Sequence, residues 1–373
     1  MQHISLKINS KNQQYITVCQ KYWALNDKRK FINTVPNICD QFQLSQDEIL
    51  DIIRKCSVVT DLKIICYTCR QPRRYISRYE YNIPRIKLPS PYQCKNCLDD
   101  IQNKILQKFN QILSSTPLAL SEIGYEQAIY IYTALEFLQT FSYKHQTTLK
   151  TPISHPNYIA HNHDTIKLIL ETAYAAKYIV PRSLDDFELL NQAAFYNTKI
   201  ISVNWQANTN NGSMDQLQHE IKTLFLDHSR TTYHIQHNDL CYEIAYLECI
   251  QCLNHVLKKH KITYKSSHGT RLIIHKGLSC LSVAQISHLL YQSVALSKHK
   301  YLLTPEQQKL PKGQLAITIL DEKITEYLKK SYPIDDYHRL KYKPQTYLSY
   351  VLFDKILQQE DCGFYIPLSQ LLT

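Results

Sequence analysis

Cys66-Tyr67-Thr68-Cys69 and Cys94-Lys95-Asn96-Cys97 constrain this chain more than any other feature. Two C-x-x-C knuckles can place four thiolates around one tetrahedral zinc. The 24 residues between them, 70–93, exceed the roughly 15–20 common for paired knuckles, which a longer hairpin accommodates. Arg73 to Tyr81 is rich in β-formers, while Asn82, Pro84, Pro89 and Pro91 mark a turn and a poor return strand. The spacing therefore predicts a zinc ribbon over 61–100, with one structural Zn2+ held by Cys66, Cys69, Cys94 and Cys97.

Composition narrows the remainder. The chain has 373 residues, 44% hydrophobic and 20% charged, which is globular material for two or three domains. Only 6 glycines are present, and neither a dinucleotide fingerprint nor a phosphate loop occurs. Met1 to Asn9 lacks the apolar core of a signal peptide, and no apolar run approaches the roughly 18 residues of a membrane span. A cytoplasmic protein with no membrane partner is expected. Eight of the 12 cysteines lie outside the two knuckles, mostly in helix-like apolar patterns that suit small core residues of a reducing compartment. Cys249-Ile-Gln-Cys252 is a third pair, but it sits on a helical segment with no second pair nearby.

Net charge is +11, and it is uneven: residues 1–100 hold 16 Lys+Arg against 9 Asp+Glu, whereas residues 101–373 hold 27 against 23. The N-terminal third is thus the candidate footprint for a polyanion. Arg70, Arg73, Arg74, Arg78 and Lys95 surround the knuckles, and Tyr75, Tyr79 and Tyr81 fall on one face of the expected strand. Aromatic faces beside basic ones suit single-stranded nucleic acid, where bases stack and phosphates are neutralised. Tyr75 is the candidate stacking residue, while Tyr79 and Tyr81 are expected to form the ribbon's small core.

Thr34 with Pro36, and the capping box Ser45-Gln-Asp-Glu48, start two short helices joined by a tight turn. This resembles a helix-turn-helix. The second helix opens with Gln46, Asp47, Glu48 and Asp51, and carboxylates facing phosphate disfavour major-groove reading, so a packing unit is the better expectation.

Further along, apolar periodicity predicts helices over Ile101–Leu113, Glu122–Tyr143, Asp164–Val180, Leu217–Asp227, Leu240–His260, Val283–Lys298, Ile317–Lys330 and Tyr347–Gln358. A strand is expected over Lys199–Trp205, and loops over 207–213 and 303–314. The fold class is mainly α with a small β zinc ribbon, multi-domain, with an α-rich C-terminal body and few short strands. The divisions are 1–60 helical, 61–100 ribbon, 101–150 helical connector, 151–240 mixed α/β and 241–373 α-helical.

Leu247-Glu248-Cys249-Ile250, Leu281 to Ile286, and Tyr347 to Phe353 with Gly363-Phe364 resemble segments of uncharacterised bacterial proteins with a zinc-ribbon-like Cys cluster near the N-terminus. The resemblance spans about 120 residues. It implies a bacterial cytoplasmic protein and no activity.

Fourteen of the 16 histidines lie between His145 and His299, so a hydrolase must be weighed. His155-Pro-Asn-Tyr-Ile-Ala-His161-Asn-His163-Asp164 could supply two imidazoles and a carboxylate to a catalytic metal. Asp164 also reads as a helix cap, and the other histidines read as scattered surface or capping residues. A His-Asn-His nuclease is disfavoured, since no His or Asp lies between Cys69 and Cys94 to act as base. The leading reading is a non-enzymatic nucleic-acid-binding protein with low sequence preference for DNA or RNA, regulatory or part of a mobile-element or phage-defence system. The alternatives are a protein-interaction subunit of a larger assembly, and a metal-dependent hydrolase or nuclease using His161, His163 and Asp164.

Overall fold

The computed structural model describes residues 4–28, 30–82, 91–144, 159–191, 200–210, 212–303, 311–339, 345–358 and 360–372. The expected turn prolines Pro84 and Pro89, His145 and His155, and most of the 303–314 loop lie outside them. The architecture is mainly helical with short antiparallel strands. The chain divides into two compact units, Met1–Gln107 and Lys108–Thr373.

In the first unit, β1 (Ile4–Ile8), β2 (Ser57–Ile65) and β3 (Pro72–Tyr75) form an antiparallel sheet in that order. Leu6 lies opposite Val59, and Asp61 opposite Arg73. Three helices precede β2: α1 (Gln13–Trp23), α2 (Val35–Phe42) and α3 (Gln46–Cys56). Their starts are capped as elementary chemistry requires. Asn12 accepts from the Gln14 and Tyr15 amides, Thr34 from Asn37, and Ser45 and Glu48 form the capping box. Val18, Tyr22, Trp23, Ile38, Ile49, Ile53, Val59 and Tyr75 build one core between helices and sheet. The expected division at residue 60 falls inside β2, which β1 and β3 flank.

The expected 73–81 hairpin is corrected. β3 ends at Tyr75, its partner is β2 upstream, and Arg78–Asn82 is a short helix, α4. Ser77 and Glu80 explain the switch: the Glu80 amide donates to Ser77 Oγ at 3.2 Å, and the Glu80 carboxylate accepts from the Ile76 amide at 2.9 Å. Local capping overrides the β-propensity of the surrounding tyrosines and isoleucine. The division between the two units falls within α5 (Lys95–Leu113).

The second unit is built on long helices: α6 (Tyr125–Lys144), α7 (His163–Ala175), α8 (Leu184–Asn191), α9 (Met214–Ile221), α10 (His234–Lys259), α11 (His268–Leu278), α12 (Val283–Leu303) and α13 (Lys312–Lys330). α6 packs on α7, and α12 packs along both α10 and α13. Leu135, Ile169, Ile244, Leu253, Ile274, Leu320 and Phe353 are fully buried there. At Gly277 an added Cβ would sit 3.1 Å from Ile286 Cδ1 and Ile324 Cδ1, so the absence of a side chain lets α11 approach α12 and α13.

Three sequence expectations change here. The 164–180 helix stops at Ala175, because Lys177 turns left-handed at φ 61° and β4 (Ile179–Pro181) follows. The strand expected over 199–205 is instead β5 (Trp205–Ala207), paired with β4 and preceded by a 3-10 turn at Ile200–Ser202. The helix expected over 347–358 is one turn that widens into a π turn at Tyr350–Lys355. No described helix is long and apolar enough to cross a membrane.

Candidate metal centre

The first knuckle is the connection between β2 and β3. The Cys66 amide donates to Gln71 O at 2.9 Å and the Arg70 amide to Cys66 O at 3.0 Å, with Arg70 at φ 60°. The second pair comes from the start of α5, where the Leu98 amide donates to Cys94 O at 3.1 Å. Hydrogen bonds join the knuckles from Tyr67 N to Tyr92 O at 2.8 Å, from Gln93 Nε2 to Thr68 Oγ1 at 3.0 Å and from Cys94 N to Cys66 Sγ at 3.3 Å. The result brings all four expected ligands together, their sulfurs within 4.8 Å of one another.

The dimensions fit a metal. A tetrahedron with Zn–S of about 2.3 Å has edges of about 3.8 Å, and Cys69 Sγ lies 3.7 Å from Cys94 Sγ. None of the four is in a disulfide. A donor set of sulfur alone suits a soft or borderline ion such as zinc over magnesium or calcium. Among the described residues this is the one group of Cys, His, Asp and Glu side chains close enough to hold a metal.

The electrostatics agree. The Cys69 and Cys94 amides, the latter 3.3 Å from Cys66 Sγ, hold the Cys66 thiol down at about 6. Its hydrogen bond to Cys94, then burial, push Cys97 up to about 12. Four thiols in one small volume must behave so: the first loses its proton readily, and later ones do so against accumulated negative charge. A bound divalent cation removes that opposition.

The six expected polyanion contacts separate into two sets. Arg70, Arg74 and Lys95 are exposed. Arg73 and Tyr75 are buried, and Arg78 is half-buried. Arg73 is 7% exposed, lies over the rings of Tyr75 (4.8 Å) and Tyr92 (5.8 Å), and donates to Glu80 O. Tyr75 is 5% exposed and its hydroxyl donates to Asp61 Oδ2 at 3.3 Å. Arg78 donates from Nε and Nη2 to Tyr22 O and from Nη1 to Asn33 O, with its guanidinium against Tyr22 and Phe31. Tyr81 packs into the core as expected, but Tyr79 is 78% exposed. A residue the sequence reading passed over, Tyr67, projects from the first knuckle at 61% exposure, with Arg70 5.7 Å from its ring centre. The two middle positions of a C-x-x-C turn face away from the metal, and that is the signal that could have found it.

In the helix pair α2 and α3, the second helix opens with carboxylates. Asp47 and Glu48 occupy the first turn of α3, and Lys55 pairs with Asp51 at 2.6 Å. The pair of helices is part of the first unit's core.

The His161, His163, Asp164 grouping does not converge either. His161 is buried, its Nε2 3.1 Å from Glu248 Oε1, so it is not a surface histidine. His163 and Asp164 are exposed in the first turn of α7. The cap of that helix is Asn162, whose side chain accepts from the Thr165 amide at 2.7 Å, in place of the expected Asp164. Cys249 is buried within α10, in keeping with a core cysteine.

No family model, no curated protein and no solved structure matches the chain. What stands of the resemblance to bacterial proteins is the four-cysteine cluster.

Proposed function

We propose that the first unit is a zinc-folded binding module whose knuckle surface contacts single-stranded nucleic acid. The observation that supports this best is the exposed Tyr67 ring with the Arg70 guanidinium beside it, both carried on the turn that the metal would fix. An aromatic face for a base and a cation for the adjoining phosphate are the two parts that sequence-tolerant single-strand binding requires. Arg74 and Lys95 add exposed charge nearby in the chain.

Zn2+ and four thiolates sum to about −2, so part of the local positive charge balances the centre. Arg73 fits that role. It is internal, and the Tyr92 hydroxyl feels both its charge and the thiols of Cys94, Cys66 and Cys69. Arg70, Arg74 and Lys95 then remain for phosphate.

Protein docking is the second reading, favoured by Leu62, Ile65 and Ile76, which are 53%, 51% and 63% exposed in the same unit. Metal analysis and fluorescence anisotropy with oligo-dT and oligo-U separate the two. One zinc per chain is expected, with micromolar binding that weakens as salt rises. Reversing Arg70 and Arg74 to Glu abolishes binding while zinc content stays constant. Zinc-loaded protein that binds neither strand at roughly 50 mM salt, where such contacts are strongest, overturns the nucleic-acid reading and leaves docking. Full zinc content and stability in Cys66→Ser overturn the metal assignment.

A further inference from the structure

The four sulfurs of the metal centre are not equivalent. Cys66 and Cys97 are 0% and 8% exposed, whereas Cys69 is exposed and Cys94 half-buried. Each knuckle thus carries an inner and an outer sulfur. Of the 12 cysteines in the chain, Cys69 alone is exposed. Cys66 Sγ is further occupied, accepting from the Cys94 amide at 3.3 Å. The two outer sulfurs lie against each other, Cys69 Sγ 3.7 Å from Cys94 Sγ. Closing that gap to the roughly 2.05 Å of a disulfide takes less than about 1 Å of movement from each sulfur.

The surroundings favour attack on an oxidant. A zinc ligand is a thiolate at neutral pH, and the thiolate is the nucleophilic form of cysteine. Arg70 and Lys95 directly follow Cys69 and Cys94, and both are exposed cations, the setting in which reactive thiolates occur. The cysteines elsewhere lack this combination. Cys19, Cys241, Cys249 and Cys362 are buried, and burial pushes the thiols of Cys19 and Cys362 up to about 11.

We propose that Cys69 is an oxidative modification site, at which a hydroperoxide links it to Cys94 and releases the metal. The Cys69 thiolate attacks the terminal oxygen of the hydroperoxide. The O–O bond breaks, the alkoxide or hydroxide released takes a proton, and Cys69 becomes a sulfenic acid. The Cys94 thiolate then attacks that sulfur, the S–S bond forms, and hydroxide leaves and is protonated to water. The two sulfurs give up two electrons in all, and the O–O bond accepts them. Cys66 and Cys97 remain as thiolates, two donors where a structural zinc site needs four. This step rests on the metal assignment made above, and the experiment separates the two.

The zinc-loaded full chain is treated with hydrogen peroxide, and zinc passing to a colorimetric chelator is followed beside tryptic peptide mapping. Trypsin cuts after Arg70 and Lys95, so Cys69, Cys94 and Cys97 fall on three different peptides. The expected result is loss of one zinc per chain with a cross-link between peptides 64–70 and 88–95, placed at Cys69 by fragmentation. Dithiothreitol with added zinc should reverse both. Cys69→His keeps a zinc donor but no sulfur, and its zinc release should be slower by about tenfold or more. Zinc that survives peroxide, or a bridge confined to one knuckle (Cys66 to Cys69, or Cys94 to Cys97), overturns the proposal and leaves the metal assignment standing. Release from Cys69→His at the parent's rate does the same. A parent chain that holds no zinc before peroxide is added overturns both. Should Cys69→His bind no zinc, the parent's peptide map decides alone.

Discussion

Arg339 and Glu248 meet in the interior of the second unit, the guanidinium Nη2 donating to both carboxylate oxygens at 3.2 Å. Ser349 Oγ donates to the same carboxylate at 3.0 Å, and Arg339 reaches on to Asp361 at 2.7 and 2.8 Å. Because an ionised carboxylate only accepts, His161 Nε2 must carry the proton it shares with Glu248 Oε1. Side chains from 161, 339 and 349 thus converge on one residue of α10, and Asp361 joins through Arg339. The node fastens segments far apart in sequence.

Removing Glu248 should therefore be among the most damaging single changes in the second unit. Glu248→Ala is expected to cost about 3–5 kcal/mol, the usual penalty for stranding a buried partner charge, read by chemical denaturation. Burial pushes the Glu248 carboxyl up, but Arg339, His161 and Ser349 together outweigh it and hold it at about 2. A depressed folded value means the stabilisation is complete above the ordinary 4.5 and is lost as pH falls toward about 2. Glu248→Gln should flatten stability against pH in that window; an unchanged slope would contradict the assignment.

His161 and His163 are two positions apart and should behave oppositely. His161→Ala removes a buried donor to Glu248, with an expected loss of about 1–3 kcal/mol. His163 is exposed, and His163→Ala should stay within about 0.5 kcal/mol of the parent. Equal effects in the two variants would mean that the His161–Glu248 contact contributes nothing.

A second pH window belongs to His237. Its Nδ1 lies 2.9 Å from the Tyr125 hydroxyl, which also donates to Ser229 Oγ at 2.8 Å. Burial, then Arg230, hold His237 down at about 4, so the folded protein keeps it neutral. The unfolded chain takes up that proton first, so stability falls as pH drops from about 6.5 toward about 4. His237→Gln should remove this slope while leaving the lower window of Glu248 in place. Urea titrations at half-unit pH steps separate the two.

The metal centre was legible because its geometry is short-range: four thiols on two tight turns have few ways to avoid one another. The capping box at Ser45 and Glu48 was legible for the same reason. Ser77 and Glu80 carry the same signal, yet Tyr75, Ile76, Tyr79 and Tyr81 made the stretch look like a strand, and α4 was missed. Whether an arginine is surface or core is a long-range fact. Arg78 turns inward because Tyr22 O and Asn33 O, 56 and 45 residues away, are waiting for its fork. His161 is buried because Glu248, 87 residues on, accepts its hydrogen bond. No local pattern encodes either.

Arg78 and Arg70 provide the sharpest separation of support from contact. Arg78 joins α4 to the backbone at Tyr22 and Asn33, so Arg78→Ala should destabilise the first unit by about 2 kcal/mol or more, the worth of charged hydrogen bonds lost from a partly buried site. Arg78→Lys keeps the charge but loses the planar fork and should fall in the same direction. Arg70 donates no side-chain hydrogen bond among the described residues, and its guanidinium rests on the exposed Tyr67 ring. Arg70→Ala should thus leave stability within about 0.5 kcal/mol and lower the salt dependence of oligo-dT binding by about one phosphate contact. Denaturation of the zinc-loaded protein and anisotropy across a salt series measure both. If Arg78→Lys keeps full stability but loses nucleic-acid binding, Arg78 faces the ligand and its internal role is wrong; if Arg70→Ala leaves the salt slope untouched, the knuckle is not the phosphate contact.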